Sequence, residues 1–137
     1  MAGEIVLGYD GSDGAKAALE EAIDLTGRLQ VELVIFYGYE VSRLGGEVAD
    51  MEAALRELAE KTAAEAAERA RAAGLEPRIV VGEGDPATSL AALAGERGAA
   101  MIVVGTRGER PLRGVMLGSL AHKLLHLSEV PVLVVPV

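Results

Sequence analysis

Short, almost unbroken apolar runs alternate with longer stretches of helical period along the whole chain. Residues 5–9, 31–37, 78–81, 100–104 and 130–135 have strand length and are apolar nearly throughout. Between them, residues 15–29 put Leu19, Ala22, Ile23 and Thr26 on one helical face. Residues 51–73 place Met51, Leu55, Leu58, Thr62 and Ala66 at helical spacing, and Gly74 stands where a helix ends. Asp85-Pro86 reads as N-cap and first-turn proline of a short helix reaching about residue 97. Leu120, Leu124 and Leu127 mark a last helix, and residues 38–50 form a polar, glycine-containing connection. Strands apolar on both faces belong in a parallel sheet covered by helices on both sides. The expectation is one α/β domain over residues 1–137, with its ligand site beyond the carboxyl ends of the strands.

The fourth apolar run leads into Gly105-Thr106-Arg107-Gly108, then nine residues, then Gly118-Ser119 at the start of the last helix. A helix start offers unpaired N–H groups and the positive end of the helix dipole. Glycine lets main chain approach a ligand where a Cβ would collide. The loop carries Arg107, Arg110 and Arg113 against one acid, Glu109. That combination suits a phosphate; the competing reading is glycines serving turns and arginines solvated at the surface. Ser119 is either N-cap or a hydroxyl contact to phosphate.

After the first strand comes Gly8-Tyr9-Asp10-Gly11-Ser12-Asp13-Gly14. It misses the dinucleotide fingerprint, because Tyr9 stands where the first glycine is required. Asp10, at the end of a buried strand, is placed to bond a ribose hydroxyl or help hold magnesium. Alternatively, Asp10 or Ser12 caps the next helix. His122 and His126 have i,i+4 spacing but no third ligand at useful spacing, so a metal site is not expected there. No Gly-x-x-x-x-Gly-Lys-Ser/Thr loop and no serine or cysteine nucleophile triad can be assembled. The sequence therefore supports binding rather than catalysis.

Charge narrows the partners. Thirteen basic and twenty-one acidic side chains give a net charge of −8, which disfavours nucleic acid and anionic membranes. Three tyrosines and one phenylalanine offer no stacking platform for single strands. With no cysteine there are no disulfides or thiolate metal sites. The N-terminus does not read as a secretory signal and no apolar run reaches membrane-spanning length, so a cytoplasmic location is expected.

With these motifs placed, the chain resembles the universal stress protein family over nearly its whole length. The resemblance rests on residues 5–12, Gly84-Asp85-Pro86-Ala87, residues 101–108, Gly118-Ser119 and residues 130–136. It implies a Rossmann-like sheet, of the adenine nucleotide alpha hydrolase-like kind, in the order 3-2-1-4-5. The complete Gly-x2-Gly-x9-Gly-Ser motif looks like the family's ATP-binding branch. By position, Asp10 would contact ribose or Mg2+, and the backbone around Gly8, Tyr9 and Gly38 would border adenine and sugar. Val104, Gly105, Arg107 and Gly108 would line the nucleotide, and Gly118, Ser119, Leu120 and Ala121 would receive its phosphates. Where the family often has histidine then valine, this chain has Tyr37 and Gly38, which keeps backbone contacts but removes a valine's apolar packing. The resemblance further implies an ATP-binding regulatory protein of the stress response and a homodimer through residues 130–137. The alternatives are a slow ATPase, or a dimeric module binding AMP, a cyclic nucleotide or no nucleotide.

Overall fold

The computed structural model describes residues 3–41, 48–106 and 118–137. Strands β1 (Glu4–Gly8), β2 (Glu32–Tyr39), β3 (Arg78–Glu83), β4 (Met101–Gly105) and β5 (Val132–Val135) alternate with four helices. These are α1 (Asp13–Leu29), α2 (Val48–Ala72), α3 (Pro86–Glu96) and α4 (Ser119–Leu127). The sheet is parallel in the order β3-β2-β1-β4-β5. Leu7 at its centre lies opposite Ile35 on one side and Val103 on the other. The expected architecture and strand order are thus both present, and the order reverses between β1 and β4.

Successive strand residues face opposite sides of the sheet, which splits the core into two layers. Ile5, Leu7, Leu33, Ile35 and Val103 pack with α1 and α2. Val6, Val34, Phe36, Ile102 and Val104 pack with α3 and α4. In α1 the expected Leu19, Ala22 and Thr26 are buried, together with Ala15 and Ala18.

The face of α2 differs from expectation. Its core stripe is Ala59, Ala63, Ala66, Ala67 and Ala70, whereas Met51 is 41% exposed and Leu58 53%. Length explains this. The 25 residues of α2 span about 38 Å, against about 26 Å for the eight residues of β2. The first turns of α2 therefore overshoot the sheet, and only the later alanine-rich turns lie on it, where small side chains allow close approach. The connection read over residues 38–50 is shorter than expected. Gly38 pairs opposite Gly82 and Tyr39 opposite Glu83, which extends both strands, and α2 already begins at Val48. Conversely, β5 begins at Val132 rather than Val130. Pro131 has no N–H for a ladder, although its carbonyl accepts from the Ile102 amide at 2.9 Å.

Candidate functional site

A cavity of about 530 Å3 opens beyond the carboxyl ends of β1, β2 and β4, at the point where strand order reverses. Backbone comes close together here. A Cβ on Gly105 would lie 2.5 Å from the Gly14 carbonyl oxygen, so the end of β4 touches the start of α1 directly. Gly11 makes the turn after β1 with φ of +81°. Within that turn, Asp10 Oδ1 accepts from the Ser12 amide at 3.0 Å and from the Ser12 hydroxyl at 2.5 Å. Ser12 Oγ in turn accepts from the Ala15 amide at 3.2 Å and caps α1. Ser12, not Asp10, is the cap. Asp10 is half-buried at the cavity wall, and Oδ2 has no hydrogen-bond partner among the described residues.

The second wall is the end of β2. The Phe36 carbonyl accepts from the Tyr9 amide at 2.9 Å, toward β1, and the Tyr39 carbonyl accepts from the Gly84 amide at 2.8 Å, toward β3. Backbone groups alternate sides along a strand, so the Gly38 N–H and C=O point toward β1. Pairing with β1 has already ended at Gly8 and Phe36. Both Gly38 groups lack a partner among the described residues, and together they present a donor beside an acceptor.

The third wall is the start of α4. Gly118 is its N-cap, with ordinary extended angles of φ −64° and ψ 164° and no side-chain cap. Its amide donates to the Thr106 carbonyl at 2.6 Å, which ties the helix start to the end of β4. Ser119 is therefore the first helical residue and not the cap. Its hydroxyl makes no cap bond, and the amides of Ser119, Leu120 and Ala121 are first-turn donors without intrahelical acceptors.

Of the residues singled out from the sequence, Gly8, Tyr9, Asp10, Gly38, Gly105, Gly118, Ser119, Leu120 and Ala121 border this one cavity. Val104 does not: its side chain is wholly buried beneath Gly8. Arg107 and Gly108 lie outside the described residues, as do Glu109, Arg110 and Arg113. The cavity also takes in Ser12, Ala15, Phe36, Tyr37, Pro86, Leu90 and Thr106. Most of these are apolar or contribute backbone, so residue type alone does not mark them. Pro86 had a signal in Asp85-Pro86, which was legible only as a helix start.

Electrostatics at the rim are local. Burial, with Glu65 and Asp10 nearby, pushes the Tyr9 phenol above its ordinary range. Hydrogen bonds from the Thr88 hydroxyl and amide, and then Lys123 at 3.3 Å, hold Asp85 below the usual carboxylate range. His122 and His126 stack edge to face at 5.0 Å on the exposed side of α4. Among the described residues, no group of three or more His, Cys, Asp or Glu side chains is arranged to hold a metal. No described helix is long and apolar enough to cross a membrane.

Comparison with known proteins agrees with this fold. The chain is 35% identical to the universal stress protein YxiE of Bacillus subtilis, over 98% of this chain and 99% of that protein. A universal stress protein solved in complex with cAMP is 29% identical, with a TM-score of 0.74 over 97% of this chain and 96% of that one. The solved structure of MJ0577 shares the fold at a TM-score of 0.89 and 20% identity, over 98% of this chain and 96% of that one. The model of the universal stress protein family matches residues 1–136, and the chain belongs to that family.

Proposed function

We propose that this chain is an adenine-nucleotide-binding regulatory module that takes ATP, with nucleotide occupancy setting its conformation or its choice of partner. The observation that carries this reading is the convergence of three backbone features on one cavity. These are the bare ends of β1 and β4, the donor–acceptor pair of Gly38, and the open N-terminus of α4. The Gly38 N–H and C=O complement the N1 acceptor and N6 donor of adenine. The amides of Ser119, Leu120 and Ala121, with the helix dipole behind them, suit phosphate oxygens. Arg107 and Gly108 complete the phosphate side in this proposal.

Magnesium fits the same arrangement. Mg2+ keeps several waters and takes one or two carboxylates plus substrate phosphates, and the free Oδ2 of Asp10 is such a carboxylate at the cavity wall. Asp10 would hold the ion or a ribose hydroxyl, while its Oδ1 keeps the loop in shape. A second reading has support of its own: the 29% identical relative was solved with cAMP. The same cavity would then take a cyclic nucleotide or AMP in place of ATP. Denaturing the purified protein and identifying the released nucleotide by mass spectrometry separates these readings. Titration of nucleotide-free protein with ATP, AMP and cAMP then ranks them. Absence of binding by all three would overturn both.

A further inference from the structure

Gly38 has no side chain, and the structure shows what occupies the room. Gly8 and Gly38 follow Val6 and Phe36 by two residues, so all four face the α3/α4 side of the sheet. A Cβ on Gly38 would lie 3.0 Å from Phe36 Cε2 and 3.2 Å from both Cα and Cβ of Pro86. One on Gly82, in the neighbouring strand, would lie 3.4 Å from Phe36 Cε1. The Phe36 ring is thus spread beneath two glycines, and the first residue of α3 closes directly over Gly38. Asp85 holds Pro86 there by capping α3 through Thr88 and bridging to Lys123 of α4. Leu90 continues the wall one turn further on, and Leu120 of α4 also borders the cavity. Leu90 and Val104 fill the space directly over Gly8, 2.9 and 3.0 Å from where its Cβ would lie. The apolar slot beside them has one polar edge, the Gly38 N–H and C=O, which lack a partner among the described residues.

We propose that Pro86, seated in the gap left by Gly38, is the apolar platform for the nucleotide base, and that the Gly38–Pro86 contact sets the width of the base slot. This rests on the adenine-nucleotide reading above. A flat ring with hydrogen-bonding groups along one edge fits such a slot, which is the chemistry of a purine. The proline ring takes over the packing that a side chain at position 38 would supply. Its pyrrolidine also fixes its own backbone angle, so the platform is preorganised.

The test is a double-mutant cycle on the full chain, with ATP and inorganic tripolyphosphate as titrants and thermal melting as the check on folding. Pro86→Ala withdraws two methylenes from the base and should weaken ATP about tenfold. Tripolyphosphate, which has no base, should bind as it does to the wild type. Gly38→Val should weaken ATP by pressing on Phe36 and Pro86. Alanine at 86 keeps the Cα and Cβ that a side chain at 38 would meet, so the double variant Gly38→Val/Pro86→Ala should bind ATP no better than Gly38→Val alone. If Gly38→Val melts too low to titrate, Gly38→Ala completes the cycle. Unchanged ATP affinity in Pro86→Ala would overturn the proposal, as would equal losses for both titrants or a double variant that regains wild-type affinity. A wild type that binds no nucleotide would instead bring down the parent reading. The two failures are therefore distinguishable.

Discussion

At Asp10 the two carboxylate oxygens stand in different surroundings. Oδ1 accepts two hydrogen bonds from Ser12 and so orients the cap of α1, while Oδ2 is left at the cavity wall. Two substitutions separate these roles. Asp10→Ala removes both and should cost about 0.5–2 kcal/mol of stability, as loss of a cap does, along with weaker ATP binding. Asp10→Asn keeps an oxygen for Ser12 but puts an amide where the second oxygen was. Its melting point should stay near the wild type while magnesium-dependent ATP affinity falls. Wild-type titrations of Asp10→Asn with and without Mg2+ would confine Asp10 to a structural role. The glycines divide in a similar way. Gly105→Ala forces a Cβ into the Gly14 backbone, so it should destabilise the whole fold by at least about 1–3 kcal/mol. Gly118 has angles open to any residue. Gly118→Val should therefore still fold, with a modest loss of stability because valine is a poor N-cap, yet lose ATP in calorimetry, and unchanged affinity would remove Gly118 from the phosphate site.

Among the elements, β1 and α3 are tied at the end of the sheet remote from the cavity. Arg97 donates to both carboxylate oxygens of Glu4, at 2.8 and 2.7 Å, in a pair 27% and 14% exposed. This hydrogen-bonded pairing, opposed by burial and aided by the charges of Arg97 and Arg78, holds Glu4 below its ordinary value of 4.5. A carboxylate depressed in the folded state binds fewer protons there than in the unfolded chain. Its stabilisation is therefore complete above about pH 4.5 and is lost as pH falls through the folded value. Glu4→Gln should then cost about 1–2 kcal/mol at pH 7 by urea denaturation. The gap to the wild type should narrow progressively below pH 4.5. A gap that stays constant with pH would show that the charge of Glu4 does not matter. What could be read at this scale follows the same logic of local chemistry. The Asp85-Pro86 start of α3 was legible because cap and proline act within one turn. Ser119 was ambiguous because Gly118, which has no side chain, is the cap. The buried face of α2 was misread because helical spacing does not reveal where the sheet beneath ends. The alanine stripe from Ala59 to Ala70 is less apolar than the exposed Met51 and Leu58.

At the scale of the molecule, strand alternation made the sheet legible and the motif residues located the cavity. The apolar base slot was not legible, because Phe36, Pro86 and Leu90 meet only through packing between distant elements. The strand order also leaves two edges, and they differ. On β3, Arg78 and Glu83 stand at the ends of the strand, and charges of this kind discourage pairing with another chain. On β5, no charge occurs from Val132 to Val137. Val132, Leu133 and Val134 are only partly buried, and Val137 is 67% exposed. An apolar edge with unpaired backbone groups is an invitation to strand pairing, so the proposal that this chain forms a homodimer through residues 130–137 belongs to that edge. Two-fold pairing would bury the valines and satisfy the edge backbone together. Sedimentation of the wild type at micromolar concentration should then show a dimer both with and without ATP. Val134→Lys places a charge at the centre of the proposed interface and should shift the species to monomer. Val134 also packs against the α3/α4 core layer, so the melting point extrapolated to low concentration should fall as well, and the shift to monomer is read from sedimentation of the folded protein. A wild type that sediments as a monomer in both conditions would overturn the dimer, whereas a Val134→Lys protein that stays dimeric would move the interface elsewhere.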